Sequence, residues 1–321
     1  MKAILYDHPG PPDVLRLAEV PDPVCAPDDV LIRIEAIAIE GGDLIQRASM
    51  PMPHPGYVLG YAAAGEVIAV GSAVTDRHVG QKVTSFDMGG SHAELRAVAA
   101  SRTWPIPGGL DMAAAAALPI SFGTAHHCLF ARGALRRGET VLIQAGAGGV
   151  GVAAIQLAQR AGATVLATVS GADRVQRLSG LGLDHAIDHR QVDVAHEVAR
   201  LTQGQGVDLC VDPVGTTLQA SLAALRAEGR LVFVGNAGGA VLDVDLWPAL
   251  QGNQSLLGVF MGTQFEKPEV YLTVARMLAQ AAAGELAVVV DRTFALADAA
   301  QAHAHAHAHG ASRLGRVVLM P

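Results

Sequence analysis

Residues 145–168 read AGAGGVGVAAIQLAQRAGATVLAT, with four glycines among the first seven residues and then an apolar stretch at helical spacing. The apolar strand candidate TVLIQ precedes it, and Gly162 closes the helix candidate after Arg160. A strand, a glycine loop and a helix in that order form a cradle for phosphate. Gly146 permits the tight turn, Gly148 lets the backbone approach a pyrophosphate, and Gly151 lets helix and strand pack closely. Gly149 and Val150 lie between them, where the helix N-terminus offers N–H groups and a partial positive charge. A dinucleotide is the expected ligand.

The end of the second strand chooses between dinucleotides, because an acidic residue there accepts a bond from the 2′-hydroxyl of NAD. Here TVLATVSGADRVQR puts Ser170 at that end, with Asp173 and Arg174 a turn later. A hydroxyl and a permanently charged guanidinium suit a 2′-phosphate, which favours NADPH. The other reading of Arg174 is a solvated helix residue.

Around this core the chain has two rhythms. Up to about Leu118 it shows short strand candidates (AILY, VLIRIEAIAI, AAAGEVIAV, QKVTSF, HAELRAVA) and then an alanine-rich helix candidate, LDMAAAAALP. From there strands alternate with helices, at 140–144, 163–169, 185–188, 207–211, 230–234 and 255–260. This predicts an α/β fold with a doubly wound parallel sheet. The tail, with a helix candidate near 271–283 and strands in LAVVVDRTF and GRVVLM, returns to the first style. We expect a β-rich domain at 1–118 plus 262–321 with a nucleotide domain, 119–261, inserted in it.

The length of 321 residues suits two domains. A net charge of -7 without clustered Lys or Arg argues against nucleic acid. Three scattered cysteines, Cys25, Cys128 and Cys210, support neither a disulfide framework nor a thiolate zinc site. The opening MKAILYDHPGPP is too weakly apolar for a secretory signal, and no apolar run is long enough for a membrane span, so a cytoplasmic protein is expected. The tract AHAHAHAH at 302–309 spaces His303 from His307, and His305 from His309, by one helical turn, and reads as a solvated helix with no assigned function.

Read as QAGAGGVGVAAIQLA, the loop together with AAALPISFGTAHHCLF and LGLDHAIDHR resembles the zinc-independent quinone oxidoreductases of the medium-chain dehydrogenase/reductase superfamily. The likeness extends through MKAILYDHPGPPDVLRLAEVPDP, GGSHAELRAVAASRTWPIPGGL, VDLCVDPVG, RLVFVGNAGG and GRVVLMP. It implies a Rossmann domain inserted in a GroES-like catalytic domain, NADPH in the cleft between them, and a homodimer joined through SLLGVFMG. Gly148, Gly149 and Val150 would then line the pyrophosphate, and Thr124 would sit by the nicotinamide. Ser170, Arg174 and His189 would surround the 2′-phosphate, His189 standing where the family often has Tyr.

Where zinc-dependent members carry their ligands, this chain has Glu40, Tyr61 and Ile120, a set that cannot make a three-ligand zinc site. Quinones and α,β-unsaturated carbonyls delocalise the charge that hydride delivers, so they are the expected acceptors. Enoyl-thioester reduction is the nearest alternative; an NADPH-binding protein with little turnover, crystallin-like or redox-sensing, is the other. The family's N-x-x-D appears here as Glu40 to Asp43, and QRASMPMPHPG lacks the usual Tyr. Tyr61 is either an oxyanion donor or a packed wall. Glu40 is either a neutral, proton-donating acid or a carboxylate paired with Arg47 or another base. Asp43 is expected to fix the loop, and His126 and His127 to be structural.

Overall fold

The computed structural model describes residues 1–239, 241–307 and 313–321. The described chain divides into two compact units. One contains Met1–Gly123, the chain from Met261 to His307 and Gly315–Pro321; the other contains Thr124–Phe260 with residues 313 and 314.

In the first unit the long strand Asp29–Ile39 is the spine of a seven-stranded sheet, pairing antiparallel with Ala62–Val70, Leu95–Ala99 and Arg316–Met320. Its first half alternates, with Val30, Ile32 and Ile34 buried and Arg33 exposed, as expected of a strand with one wet face. Its second half is buried on both faces. There Ala36 and Ala38 lie against Ala62, Ala64 and Ala115–Ala117, and these small side chains let the helix Met112–His126 settle on the sheet. The strand therefore delivers the next residue, Glu40, into the interior. That helix is longer than the sequence suggests, for it continues through Pro119 and passes into a π-helical turn, His127–Arg132. Pro119 removes one backbone donor, but the fully buried Ala115–Leu118 hold the helix in place by packing.

Within residues 302–307 the histidine tract is solvated on one side only, with Ala304 and His307 exposed. In the helix Ala299–His307, Ala302, His303 and Ala306 are buried. The His303 ring meets the equally buried His92, Nε2 to Nε2 at 2.9 Å, so one ring donates and the other accepts. Burial pushes both below the ordinary histidine range, His92 to about 3, and both are neutral. His305 bonds Asp291 at 2.7 Å. His309 lies outside the described residues.

The second unit is a six-stranded parallel sheet in the order His185–Ile187, Thr164–Thr168, Thr140–Ile143, Val207–Asp212, Leu225–Phe233 and Ser255–Gly258. Strand order reverses beside Thr140–Ile143, and the glycine loop leaves the carboxyl end of that strand, where open α/β sheets bind ligands. Leu142, Leu166, Ile187, Cys210 and Leu231 fill the core from successive strands. Leu225–Phe233 begins earlier than its sequence pattern, with a register shift opposite Val207–Leu209 and Glu228 in the left-handed region (φ 61°). Among the described residues no helix is long and apolar enough to cross a membrane.

Candidate active site

In the second unit the helix Gly149–Arg160 starts directly from the loop, with Gly148 at its N-cap. Its first intrahelical bond runs from Val152 N–H to Gly148 C=O (2.8 Å), so the N–H groups of Gly149, Val150 and Gly151 open from the helix end. The left-handed residue of the turn is Ala145 (φ 53°), not Gly146. Gly146 is needed for a different reason, since a Cβ there would stand 2.8 Å from the Ala167 Cβ. At Gly151 a Cβ would meet Ala145 O at 2.4 Å, whereas at Gly148 the nearest atom is 3.4 Å away. A Cβ at Gly148 would make no more than an ordinary contact with the Ala145 carbonyl, so the backbone there is less crowded than at Gly146 and Gly151.

Beneath the turn, Thr168 Oγ1 accepts from Ala145 N–H (2.9 Å) and donates to Gln144 Oε1 (2.9 Å). Gln144 continues to Ser221 (3.0 Å), and Ser221 to Asp212 (2.7 Å). This buried chain holds the strained Ala145 conformation.

Beyond the next strand, Ser170 and Arg174 are both buried and bonded to each other. Arg174 Nε donates to Ser170 O (2.6 Å) and its Nη2 to Ser170 Oγ (2.8 Å), so Arg174 is not a solvated helix residue. Burial, and then the nearby positive charge of Arg190, lower its pKa, with Asp188 opposing. Arg190 adds a second cation that sequence reading missed, although it directly follows the exposed His189. Asp173 is exposed and faces Arg177 at 3.9 Å.

The first unit gathers a different set. Glu40 is 1 % exposed and pairs with Arg316; Arg47 instead donates to Gly10 O at 2.6 Å. Arg316, the first residue of the last strand, also gives its Nε to Ser121 Oγ at 2.8 Å. Asp43 accepts from Glu40 N–H (2.7 Å) and from Tyr61 N–H (3.1 Å), which ties the start of the helix Gly41–Ser49 to the bend at Tyr61 just before the strand Ala62–Val70. Arg96 holds the other side of Tyr61 by donating to its carbonyl (3.0 Å). Burial pushes both carboxyls up, Glu40 to about 7 and Asp43 to about 8.

The Tyr61 ring lies against Gly42 and meets Phe86 edge-on at 6.4 Å. Its hydroxyl has no hydrogen-bond partner among the described residues, and burial, then Asp43, raises its pKa, so it stays protonated and able to donate. Thr124 is buried near the end of the helix Met112–His126, and the His126 ring lies tilted against Phe130 with centroids 4.8 Å apart.

The matched family models are the alcohol dehydrogenase GroES-like domain over residues 26–108 and the zinc-binding dehydrogenase over residues 149–280. A quinone oxidoreductase of Pseudomonas aeruginosa is 33 % identical over 94 % of both chains. A 2-haloacrylate reductase of a Burkholderia species is also 33 % identical, over 100 % of this chain and 99 % of that one. The crystal structure of Escherichia coli quinone oxidoreductase complexed with NADPH superposes with a TM-score of 0.93 at 27 % identity, covering 100 % of each chain. This chain belongs to the medium-chain dehydrogenase/reductase superfamily, among its quinone oxidoreductases.

The superfamily's catalytic zinc does not fit the residues present. Glu40 is committed to Arg316, Tyr61 is a protonated phenol, and Ile120 has no donor atom. A dinucleotide does fit, because the helix end offers the amides of Gly149, Val150 and Gly151 beside the uncrowded backbone of Gly148.

Proposed function

We propose that this protein is an NADPH-dependent reductase that passes hydride to a quinone or another α,β-unsaturated carbonyl. The observation that carries the reading is an amide-lined glycine loop in the same unit as the buried Ser170–Arg174 pair. Gly149, Val150 and Gly151 would hold the pyrophosphate through backbone N–H groups beside Gly148, whose own N–H is given to Ala145 O, with Gly146 keeping the strand and helix close. Ser170, Arg174 and His189, joined by Arg190, would hold the 2′-phosphate, and Thr124 would orient the nicotinamide.

When bound, the cofactor supplies a hydride. Charge then grows on the acceptor oxygen, where Tyr61 would donate its free hydroxyl hydrogen and Glu40 would meet the proton demand. A conjugated acceptor spreads that charge and needs a donor rather than a Lewis acid. The two curated relatives, one named for quinones and one for 2-haloacrylate, support a conjugated acceptor.

We further infer a cytoplasmic homodimer. Ser255–Gly258 is the edge strand of its sheet, and Leu246 (55 %), Trp247 (62 %) and Leu250 (65 %) stand exposed near it. A partner's matching strand would cover both features.

The test is oxidation of NADPH and NADH by chelator-treated protein with a para-benzoquinone, corrected for the uncatalysed reaction, on material whose mass is read by sedimentation. Metal-independent turnover preferring NADPH, from a particle of twice 33.1 kDa, is the expected result. Tyr61→Phe should lower kcat by about 10²-fold while leaving Tm unchanged. Tight NADPH binding without turnover of quinones or enones would leave a binding protein instead.

A further inference from the structure

The three central strands of the second unit end level with one another. Ala167, Ile143 and Val211 pair across them, so the residues that follow, Thr168, Gln144 and Asp212, stand in one row at the carboxyl edge. Strand order reverses between Thr140–Ile143 and Val207–Asp212, which puts this row beneath the place where such sheets take ligands. All three side chains are buried, as is Ser221 on the helix Leu218–Ala223. Their hydrogen bonds run in one line from Ala145 N–H to the Asp212 carboxyl group.

That line has a direction, and Asp212 sets it. Its Oδ1 accepts the N–H groups of Val214 (2.8 Å) and Gly215 (3.1 Å), and its Oδ2 accepts the hydroxyls of Thr217 and Ser221, both at 2.7 Å. A carboxylate can only accept. Ser221 has therefore spent its hydrogen, and its oxygen is left to receive Gln144 Nε2. The Gln144 oxygen is then left for the Thr168 hydroxyl, and the Thr168 oxygen for Ala145 N–H. Each link fixes the next, and burial denies a broken link its replacement from solvent.

The line joins two loops on either side of the point where strand order reverses. At one end Ala145, in the left-handed region, gives its N–H inward, as Gly146 does to Thr168 O at 2.9 Å. The donors that open from the loop are then the helix-end amides of Gly149, Val150 and Gly151. At the other end Asp212 gathers the chain from Val214 to Thr217 around itself.

We propose that Asp212 and Ser221 are positioning residues for the dinucleotide: through Gln144 and Thr168 they hold the Ala145 turn, and with it the amides that receive the pyrophosphate. The inference rests on the dinucleotide site of the reductase reading above. NADPH and NADH share the pyrophosphate, so the line governs affinity for both alike, in contrast to the Ser170–Arg174 pair. It acts on binding and not on the hydride step, because its residues lie buried beneath the loop.

The test is the Kd of NADPH and of NADH by fluorescence titration of the full chain, with Tm, and with kcat and KM for NADPH against a para-benzoquinone. Ser221→Ala leaves the loop's own sequence intact. It should weaken both cofactors by the same factor, about tenfold, and raise KM with kcat unchanged. Thr168→Val removes the hydroxyl at nearly constant volume and should do likewise, whereas Thr168→Ser should bind like the unaltered protein. The double variant, Ser221→Ala with Thr168→Val, should bind no more weakly than the weaker single one, because a line broken once is already broken. Asp212→Asn sets an N–H donor against two hydroxyls and should cost at least as much as Ser221→Ala; should it not fold, Ser221→Ala carries the test. In protein without cofactor, the Ala145 amide hydrogen should exchange faster in Ser221→Ala, although two side chains separate the residues.

Unchanged affinity in Ser221→Ala, or losses that multiply in the double variant, overturn the line as a unit. A loss confined to NADPH overturns its action through the pyrophosphate, and a fall in kcat at saturating cofactor overturns its restriction to binding. If the unaltered protein binds both cofactors and reduces no acceptor, the reductase reading alone fails, and the affinities still decide this inference. If it binds neither, the dinucleotide reading fails, while Ala145 exchange still decides whether Ser221 holds the turn.

Discussion

The glycine loop of the second unit and the buried carboxyl cluster of the first are built of different material. The loop presents backbone amides from consecutive residues, and side chains matter there chiefly by being absent. The cluster presents side chains of residues 40, 43, 96, 121 and 316, joined by the backbone N–H groups of Glu40 and Tyr61 and by the Tyr61 carbonyl. A backbone site is fixed by local sterics and tolerates no added atom; a side-chain site is fixed by long-range pairing and tolerates movement at a cost in chemistry.

The harshest way to break this contrast is Gly151→Ala. The new Cβ would stand 2.4 Å from Ala145 O and 2.7 Å from Gly146 Cα, both backbone atoms that cannot swing aside. NADPH affinity, read by fluorescence titration, should fall by about 100-fold, with Tm lowered by several degrees. Binding like that of the unaltered protein would show that the loop has slack the geometry denies.

Arg174→Ala tests a side chain of the nucleotide unit that would face the ligand itself. Losing a charged pair of bonds should weaken NADPH by about 30-fold and leave NADH unchanged. Equal losses for both cofactors would mean that Arg174 supports the fold and does not select the phosphate.

The mildest case is Gly42→Ala, the same chemical change as the first but in the other unit. Its Cβ would stand 2.3 Å from Tyr61 Cε2, which belongs to a side chain that can rotate. We expect little change in Tm and a fall in kcat of about tenfold as the phenol leaves its position. A large stability loss would show that the Tyr61 ring is as rigidly held as the loop.

The same difference explains what could be read from the sequence. The loop, its strand and its helix lie within thirty residues, so their order along the chain already states their geometry, and the six parallel strands follow the alternation of apolar runs with helices. The part misread there was local as well: Ala145, not Gly146, takes the left-handed turn, because buried Thr168 and Gln144 hold it there. Arg190 was legible beside His189 and was passed over.

The cluster was only half legible. Glu40, Asp43 and Tyr61 stood out by their places in family motifs, but nothing near Glu40 in the chain points to Arg316, 276 residues away by number (316 − 40). Arg47, one helical turn beyond Asp43, was the nearer candidate by spacing, yet its guanidinium turns to the Gly10 carbonyl. Pairings between antiparallel strands such as Asp29–Ile39 and Arg316–Met320 carry no local signature, so the residues they bring together are invisible until the sheet is known.

The alanine–histidine repeat holds a lesson about how such a tract can change over generations. Repeats of two residues invite copying errors that add or drop a unit, and in a disordered tail the drift would be harmless. Here the unit is counted. Each residue turns about 100° around the helix axis, so losing one pair ahead of His303 would rotate the remaining tract by about 200° and carry that imidazole away from His92. An apparently idle stretch of low complexity is thus constrained in length, though its composition alone would never suggest it.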